Sequence, residues 1–524
     1  MYDIIFFTDD TNNIASLPPI GAYKCAHVLR KNGYKVLVVN HFSFFSEEEL
    51  YQLIDLTVGE QTKLIGFSTT FLRSTNIVKI EGQPSPPYPE MPLDEVFPHG
   101  KEVENRVIKY CKEKNSTIKT LAGGAKAHPN FNNKNINYAC IGYSEVSVVN
   151  LVNHLSRKEE LKFSHKNIWG CTIVDDRFAR SYDFANSDFE WLPEDVVNHQ
   201  TLPLEVARGC IFKCKFCSYP LNGKQNLDFV KSEQQMEYEL RRNYEEFGVS
   251  TYSFVDDTFN DHEDKLNMLL RVVKKLPFKL KFWGYHRLDL ISTRPHTMDM
   301  LYDIGVKAMF FGIETLNPVS AKIIGKGYDR SKQIKMLETM RKKYNDDISL
   351  HGSFIIGLPE DTEKYALDTY QQILSQDIPL HSWNFYPLVI YRQNLTTYSS
   401  DIEKNFELYG YTEDSEANIL AAKNTLFGFD KVVNWKNKNT SFHQVTKLSN
   451  FITKDSYESS RMHIAGQFAM TVSSMGDSRY DFETVRNTAF KDFNFYDIEE
   501  NVRKKFVSDY KQKLFNIVAK KQQK

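Results

Sequence analysis

Nowhere in these 524 residues do apolar side chains run for the roughly 18 positions that a membrane-spanning helix needs, so no membrane span is expected. An excess of charge of either sign is lacking too. The 66 Lys and Arg face 67 Asp and Glu, a formal net charge of −1, which gives no electrostatic footprint for nucleic acid or an anionic surface. Cysteine is scarce, seven in the whole chain, and that excludes a disulfide scaffold. The start, MYDIIFFTDD, has neither the basic region nor the long apolar core of a secretion signal. It reads as a buried strand, and the chain is expected in the cytoplasm. Repeats of solenoid length are absent. What is plentiful is apolar and aromatic: 41% hydrophobic residues, with 28 Tyr and 37 Phe. At this length they fill more than one core, so two or three domains are expected.

Residues 1–155 alternate short apolar runs with helix-period segments. Strands are expected at 3–7, 35–40, 63–69, 118–124 and 137–143, which is the pattern of a doubly wound parallel sheet. The proline-rich stretch EGQPSPPYPEMPLDEVFP (81–98) reads as an inserted surface loop. Residues 156–203 read as a connector with a short hairpin around WGCTIVDDRFAR. The alternation restarts at 204, with strands expected at 204–209, 251–257, 279–286, 306–314, 349–357 and 382–389. Six β/α units over 204–395 predict a partial (β/α)6 barrel of the TIM type. The last region, 396–524, is mostly helical and is expected to cover the open side of the barrel. Within it and just before it, WNFYPLVIYRQN (383–394) and MHIAGQFAMTVSSMGDSRYDF (462–482) either line a substrate pocket or belong to the core.

The scarce cysteines are not spread evenly. RGCIFKCKFC puts Cys210, Cys214 and Cys217 in the loop after the first barrel strand, and barrel active sites are built from such loops. Three thiolates can hold three irons of a 4Fe–4S cluster, leaving the fourth iron open to another ligand. The remaining cysteines, Cys25, Cys111, Cys140 and Cys171, all precede the triplet. A structural zinc site would need a second pair or a nearby His to close it, and the sequence offers neither there.

The triplet, with Phe216 before its last cysteine, resembles the signature of the radical S-adenosylmethionine (SAM) superfamily, and the resemblance runs from about Val206 to Pro387. It implies that the methionyl amine and carboxylate of SAM chelate the open iron. It also implies a reducing partner such as flavodoxin or ferredoxin, cleavage of SAM to a 5′-deoxyadenosyl radical, and a small-molecule or peptide substrate. Phe216 would lie near the adenine. Asp256 and Asp257, in FVDDTFN, would contact the methionyl amine or ribose, or else cap a helix. Glu314, in GIETLNP, would be a further polar contact. SFIIGLPE (353–360) resembles the family's G-x-I-x-G-x-x-E segment, with Ser353 in place of the first glycine. Its Ile355 lies beside the adenine or in plain core. Arg287, ending FWGYHR, meets a carboxylate or forms a surface ion pair.

The first 155 residues resemble the cobalamin-binding domain that precedes many radical SAM barrels. Ser68, Gly123 and Gly124 are the positions matching its strand-end cradle, one hydroxyl and a backbone without Cβ. The D-x-H-x-x-G sequence that gives cobalt a histidine elsewhere is absent. With cobalamin, the resemblance implies methylation of an unactivated carbon or phosphinate phosphorus. The alternatives are a domain that keeps the fold without the corrinoid, serving a radical oxidation, cyclisation or rearrangement, and a non-catalytic cluster-bearing module. Methylthiotransferases need a second cluster from N-terminal cysteines at strand ends. Here Cys25 and Cys111 are expected in helices and Cys140 within a strand, so that reading is set aside.

Overall fold

The computed structural model describes residues 1–9, 17–69, 103–175 (apart from 125, 126, 130 and 132), 182–219, 230–327, 329–391, 398–414, 433–459 and 495–522, with single positions between. The proline-rich segment 81–98 lies outside them. So does 462–482, apart from Met462 and Met475, which are both buried.

The first sheet holds β1 (Ile4–Phe7), β2 (Val36–Val39), β3 (Leu64–Ser68), β4 (Lys119–Gly123), β5 (Tyr138–Ile141), β6 (Ser164–Lys166) and β7 (Thr172–Asp175). Their order is β2-β1-β3-β4-β5-β7-β6, parallel throughout except for β6 against β7. Short runs such as IIFF and VLVV form these strands because both faces are covered, which favours continuous β-branched and aromatic residues over polar alternation. Ile4, Phe6, Val36 and Val38 share one core with the helices Ile20–Lys31 and Glu145–Arg157. Ile5, Phe7, Leu37 and Val39 share a second core with Glu47–Thr57 and Val103–Lys114. Ser46 and Glu49 close a capping box at the start of Glu47–Thr57.

Two elements differ from the sequence expectation. The hairpin placed in the connector is β6–β7, and it extends the first sheet because β7 pairs with β5 from Tyr138↔Thr172 to Ile141↔Asp175. The final helix, Phe495–Gln522, packs on the N-terminal sheet. Its Tyr510, Leu514 and Val518 complete the second core of the N-terminal sheet, and the Tyr510 hydroxyl accepts from Asn40 N at 2.9 Å. The helix Phe442–Ser459 packs on the barrel, where Trp383 Nε1 donates to Ser456 Oγ and Ser449 Oγ donates to Phe385 O.

The second sheet is β8 (Leu202–Leu204), β9 (Thr251–Phe254), β10 (Lys281–His286), β11 (Val306–Glu314), β12 (Ser349–Ile356) and β13 (Ser382–Pro387). All are parallel and adjacent in chain order, with helices between them, which is the partial six-stranded barrel. Phe354 and Phe385 stack on each other, and Phe385 and Trp383 meet Tyr370 of the helix Glu363–Leu374. Period-two alternation therefore turns His351, Ser353, Ile355 and Asn384 to the inner face. Among the described residues no helix is long and apolar enough to cross a membrane.

Gly357 opens the loop after β12 at φ +93°, and a Cβ there would stand 2.4 Å from the Trp435 ring. Its carbonyl also accepts from the Tyr411 hydroxyl at 2.7 Å. Gly357→Ala is expected to cost about 2–3 kcal/mol through left-handed strain and overpacking. A lower urea midpoint at unchanged m would read that loss; an unchanged midpoint would show that the loop relaxes freely.

Candidate active site

The thiols stand where the first barrel strand ends. Cys210 and Cys214 are buried and Cys217 is partly so, and the backbone turns between the last two with Cys217 N bonded to Cys214 O at 3.0 Å. Cys210 Sγ is 3.5 Å from Thr258 Oγ1, in the loop after β9. Cys214 Sγ lies 3.7 Å from Gly325 O and receives Arg287 Nη1 at 3.4 Å. Burial pushes the Cys210 thiol up from its ordinary value, with the Thr258 contact working the other way. Lys215 anchors the loop from outside, through Ile324 O and through Asp401 at 2.9 Å.

Arg287 is buried, so the surface-pair reading does not describe it. Its guanidinium lies 3.9 Å from the Phe212 ring centroid and forks onto Asp289 at 2.6 and 3.0 Å. The Asn260 side chain clamps the Arg287 backbone from both sides, accepting from N at 2.8 Å and donating to O at 3.0 Å. A fixed cation beside a thiolate stabilises the charged form that iron binds.

The two aspartates part company. Asp256 takes Val206 N on Oδ2 at 3.0 Å, while Oδ1 faces Lys265 Nζ at 3.3 Å, and Lys265 also pairs with Asp261 at 2.7 Å. The expectation of a cofactor contact fails for Asp256 on this geometry, since both oxygens are spent holding β8 and β9 together. Asp257 lies by the mouth. After burial and a neighbouring phenol, its charge helps raise the Tyr219 hydroxyl, and after burial it is the next contribution at Tyr143.

Glu314 ends β11 at φ +66°, a left-handed backbone for a non-glycine residue, following a register shift against β12. Such strain persists where the surroundings over-determine it, and it concentrates at functional sites. Lys326 does this here, with Nζ 3.3 Å from the Glu314 carboxylate, 2.8 Å from Gly312 O and 5.9 Å from the Phe216 ring centroid. Ser353 is buried on β12, in register with Gly312 on one side and Asn384 on the other, and Ile355 is half-buried two residues on.

Among the described residues no three His, Cys, Asp or Glu side chains converge as ligands of a single ion would. A four-iron cluster makes a different demand, since each cysteine binds its own iron and the thiols stand further apart.

Sequence reasoning missed what holds the root of this loop. Arg208 is buried, its Nη2 bonded to Glu145 and its Nε to Glu205 at 2.8 Å, while Lys24 also meets Glu205. Rings of Tyr143 and Phe184 cover the guanidinium at 4.2 and 4.6 Å. Burial, then the Arg208 charge, hold the Lys24 ammonium well below its usual range. Lys24 and Glu145 belong to helices of the N-terminal sheet, so the cluster loop is tied to that domain. The only signal in the sequence was an Arg two residues before the first cysteine.

On the N-terminal side, strand order reverses between β1 and β3, and α/β sheets bind ligands at the carboxyl ends around such a switch point. Ser68 ends β3, Thr69 follows it and Gly123 ends β4, with Thr69 N bonded to Gly123 O at 2.8 Å. Gly124 has φ +117°, and a Cβ there would come within 2.9 Å of Thr69 Oγ1 and 3.7 Å of Ser68 Oγ. At Gly123 a Cβ would meet nothing within 4 Å. Tyr143, after β5, reaches from this edge to Arg208 and the Asp257 charge.

Residues 204–373 match the family model of the radical SAM superfamily. The barrel is a radical SAM domain. An uncharacterized methyltransferase of Pyrococcus horikoshii is 27% identical over 252 residues, 45% of this chain and 52% of its own length. The hopanoid C-2 methylase of Rhodopseudomonas palustris is 28% identical over 186 residues, 34% of each chain. The chain thus spans about half or less of the curated relatives it matches. The whole fold, N-terminal sheet and radical SAM barrel together, is similar to the radical SAM methyltransferase TsrM from Kitasatospora setae, solved with cobalamin and a [4Fe-4S] cluster. That similarity has a TM-score of 0.61 at 12% identity and covers 96% of this chain and 100% of that one.

Proposed function

We propose that the chain is a radical SAM enzyme that methylates its substrate with the help of cobalamin. The observation that carries this reading is a triplet of thiols at the barrel mouth, in a loop tied through Arg208 to Glu145 of a domain built as a doubly wound sheet with a switch point. Cys210, Cys214 and Cys217 would hold a 4Fe–4S cluster, and Ser68, Gly123 and Gly124 would cradle the corrinoid tail. When bound, the cluster supplies the electron that cleaves SAM to a 5′-deoxyadenosyl radical, and cobalamin supplies the methyl group.

The protein's own residues bind and orient. Arg287 and Thr258 fix the sulfurs of Cys214 and Cys210. Glu314, held by Lys326, and Asp257 present carboxylates to the amine and ribose of SAM, while Phe216 and Ile355 give the adenine an apolar wall. The names of the two relatives reported above, a methyltransferase and a methylase, support methylation.

The test is anaerobic purification from cells supplied with cobalamin, followed by an absorption spectrum and incubation with SAM and dithionite. A corrinoid band with the brown cluster, and 5′-deoxyadenosine on reduction, is the expected result. A full cluster that yields no 5′-deoxyadenosine would remove the enzymatic reading, and a cluster without corrinoid would remove the methylation reading.

A further inference from the structure

The inner face of the barrel sheet carries side chains that the cluster and SAM do not use. Register places Trp283, Ala308 and Ser349 at one level, then Tyr285, Phe310, His351 and Ser382, then Gly312, Ser353 and Asn384 nearest the cluster. The Tyr285 and Phe310 rings meet edge-on at 4.8 Å, and Phe310 stacks on the His351 ring at 4.5 Å. Protein encloses Tyr285 and Tyr386 closely enough that burial raises both phenols, yet they are 49% and 51% exposed. Side chains that are enclosed and open at once line a chamber.

Three polar atoms on this face have no hydrogen-bond partner among the described residues: Trp283 Nε1, His351 Nε2 and Asn384 Oδ1. Trp283 and His351 are more than nine-tenths buried. A buried polar atom without a partner destabilises the fold, so three on one wall call for a ligand that satisfies them. The wall's chemistry is specific. Trp283 only donates and Asn384 Oδ1 only accepts. His351 is neutral, because burial pushes it down to about 3, and with Nδ1 on Ser382 Oγ at 2.8 Å its other nitrogen donates or accepts by choice of tautomer. On β10 to β13, at the strand levels from Trp283 to Asn384, the described inner-face residues include no Lys, Arg, Asp or Glu; the charges of Asp257 and Glu314 lie above.

We infer that the lumen takes the flat, uncharged end of the substrate, an aromatic or conjugated ring whose edge both donates and accepts hydrogen bonds to Trp283, His351 and Asn384. The inference rests on the reaction proposed above only in taking this lumen as its substrate chamber. Phe310 and Tyr285 supply the ring faces, and aromatic pairs of this kind add to simple area burial. A saturated chain would leave those faces poorly filled, and a charged group would lack a counter-ion.

The cluster-loaded protein with SAM supplies the test, by calorimetric titration with three probes. 2-Quinolone is flat with adjacent donor and acceptor, quinoline is equally flat but only accepts, and 2-piperidone keeps the donor and acceptor without the aromatic ring. 2-Quinolone is expected to bind about tenfold more tightly than either, the scale of one hydrogen bond or one ring contact. Trp283→Phe and Asn384→Leu should each weaken 2-quinolone by about five- to tenfold while leaving quinoline nearly as it was. The comparison of probes on the unaltered protein stands even if a variant fails to fold. Equal binding of 2-quinolone and 2-piperidone, or no response to either substitution, overturns the inference. Formation of 5′-deoxyadenosine by the same preparation reads the reaction separately: ring selectivity without it supports the lumen assignment and counts against the reaction alone.

Discussion

Cys214→Ala is expected to yield a colourless protein that forms no detectable 5′-deoxyadenosine. Only three thiols stand at the barrel mouth, and three irons need three ligands. A loop with two cannot hold the cluster, and no other cysteine is placed to substitute: Cys25 and Cys111 lie in helices, Cys140 in β5 and Cys171 beside β7. Cys210→Ala and Cys217→Ala should behave alike, whereas Cys171→Ala should stay brown and active. Arg287→Ala sits one shell out, removing the donor to Cys214 Sγ, and a loss of about 10–100-fold in activity is the usual scale for such a support. A brown, SAM-cleaving Cys214→Ala protein would move the cluster elsewhere.

Arg208→Ala is expected to be the most destabilising single substitution described here, costing about 3–5 kcal/mol, the scale for stripping one partner from a buried ion cluster. It leaves the Glu145 and Glu205 carboxylates buried with Lys24 as their remaining neighbour from that network. A lower urea midpoint at unchanged m reads that loss. A variant as stable as the parent protein would show that the buried ion cluster does not hold the loop to the N-terminal sheet.

The strands of both sheets were legible because runs such as IIFF, VLVV and SFIIG combine apolar character with turn residues at their ends. The cysteine triplet was legible because its chemistry is local in the chain. What escaped was everything set by distance along it. Asp256 and Asp257 look equivalent in sequence, and only Lys265 and Asp261, packed beneath, assign one of them to structure. The partners of Arg208 are scattered at 24, 145 and 205. The hairpin β6–β7 gives no sign of which sheet it joins, and the polar inner face of β12 is an alternation (His351, Ser353, Ile355) that reads as an ordinary half-buried strand. Helix-period sequence made 396–524 legible as mostly helical and pointed it at the open side of the barrel, whereas Tyr510, Leu514 and Val518 of its last helix pack on the N-terminal sheet.

That last helix has a practical consequence for dissecting the protein. Expressing residues 1–175 alone, to isolate the N-terminal sheet, would strip Tyr510, Leu514 and Val518 from a core they share with Leu37, Val39 and Phe45. The excised piece would carry a bare apolar face and invite aggregation. Fusing the 495–522 segment back through a flexible linker is the better design, because the domain is discontinuous in sequence although it is continuous in space.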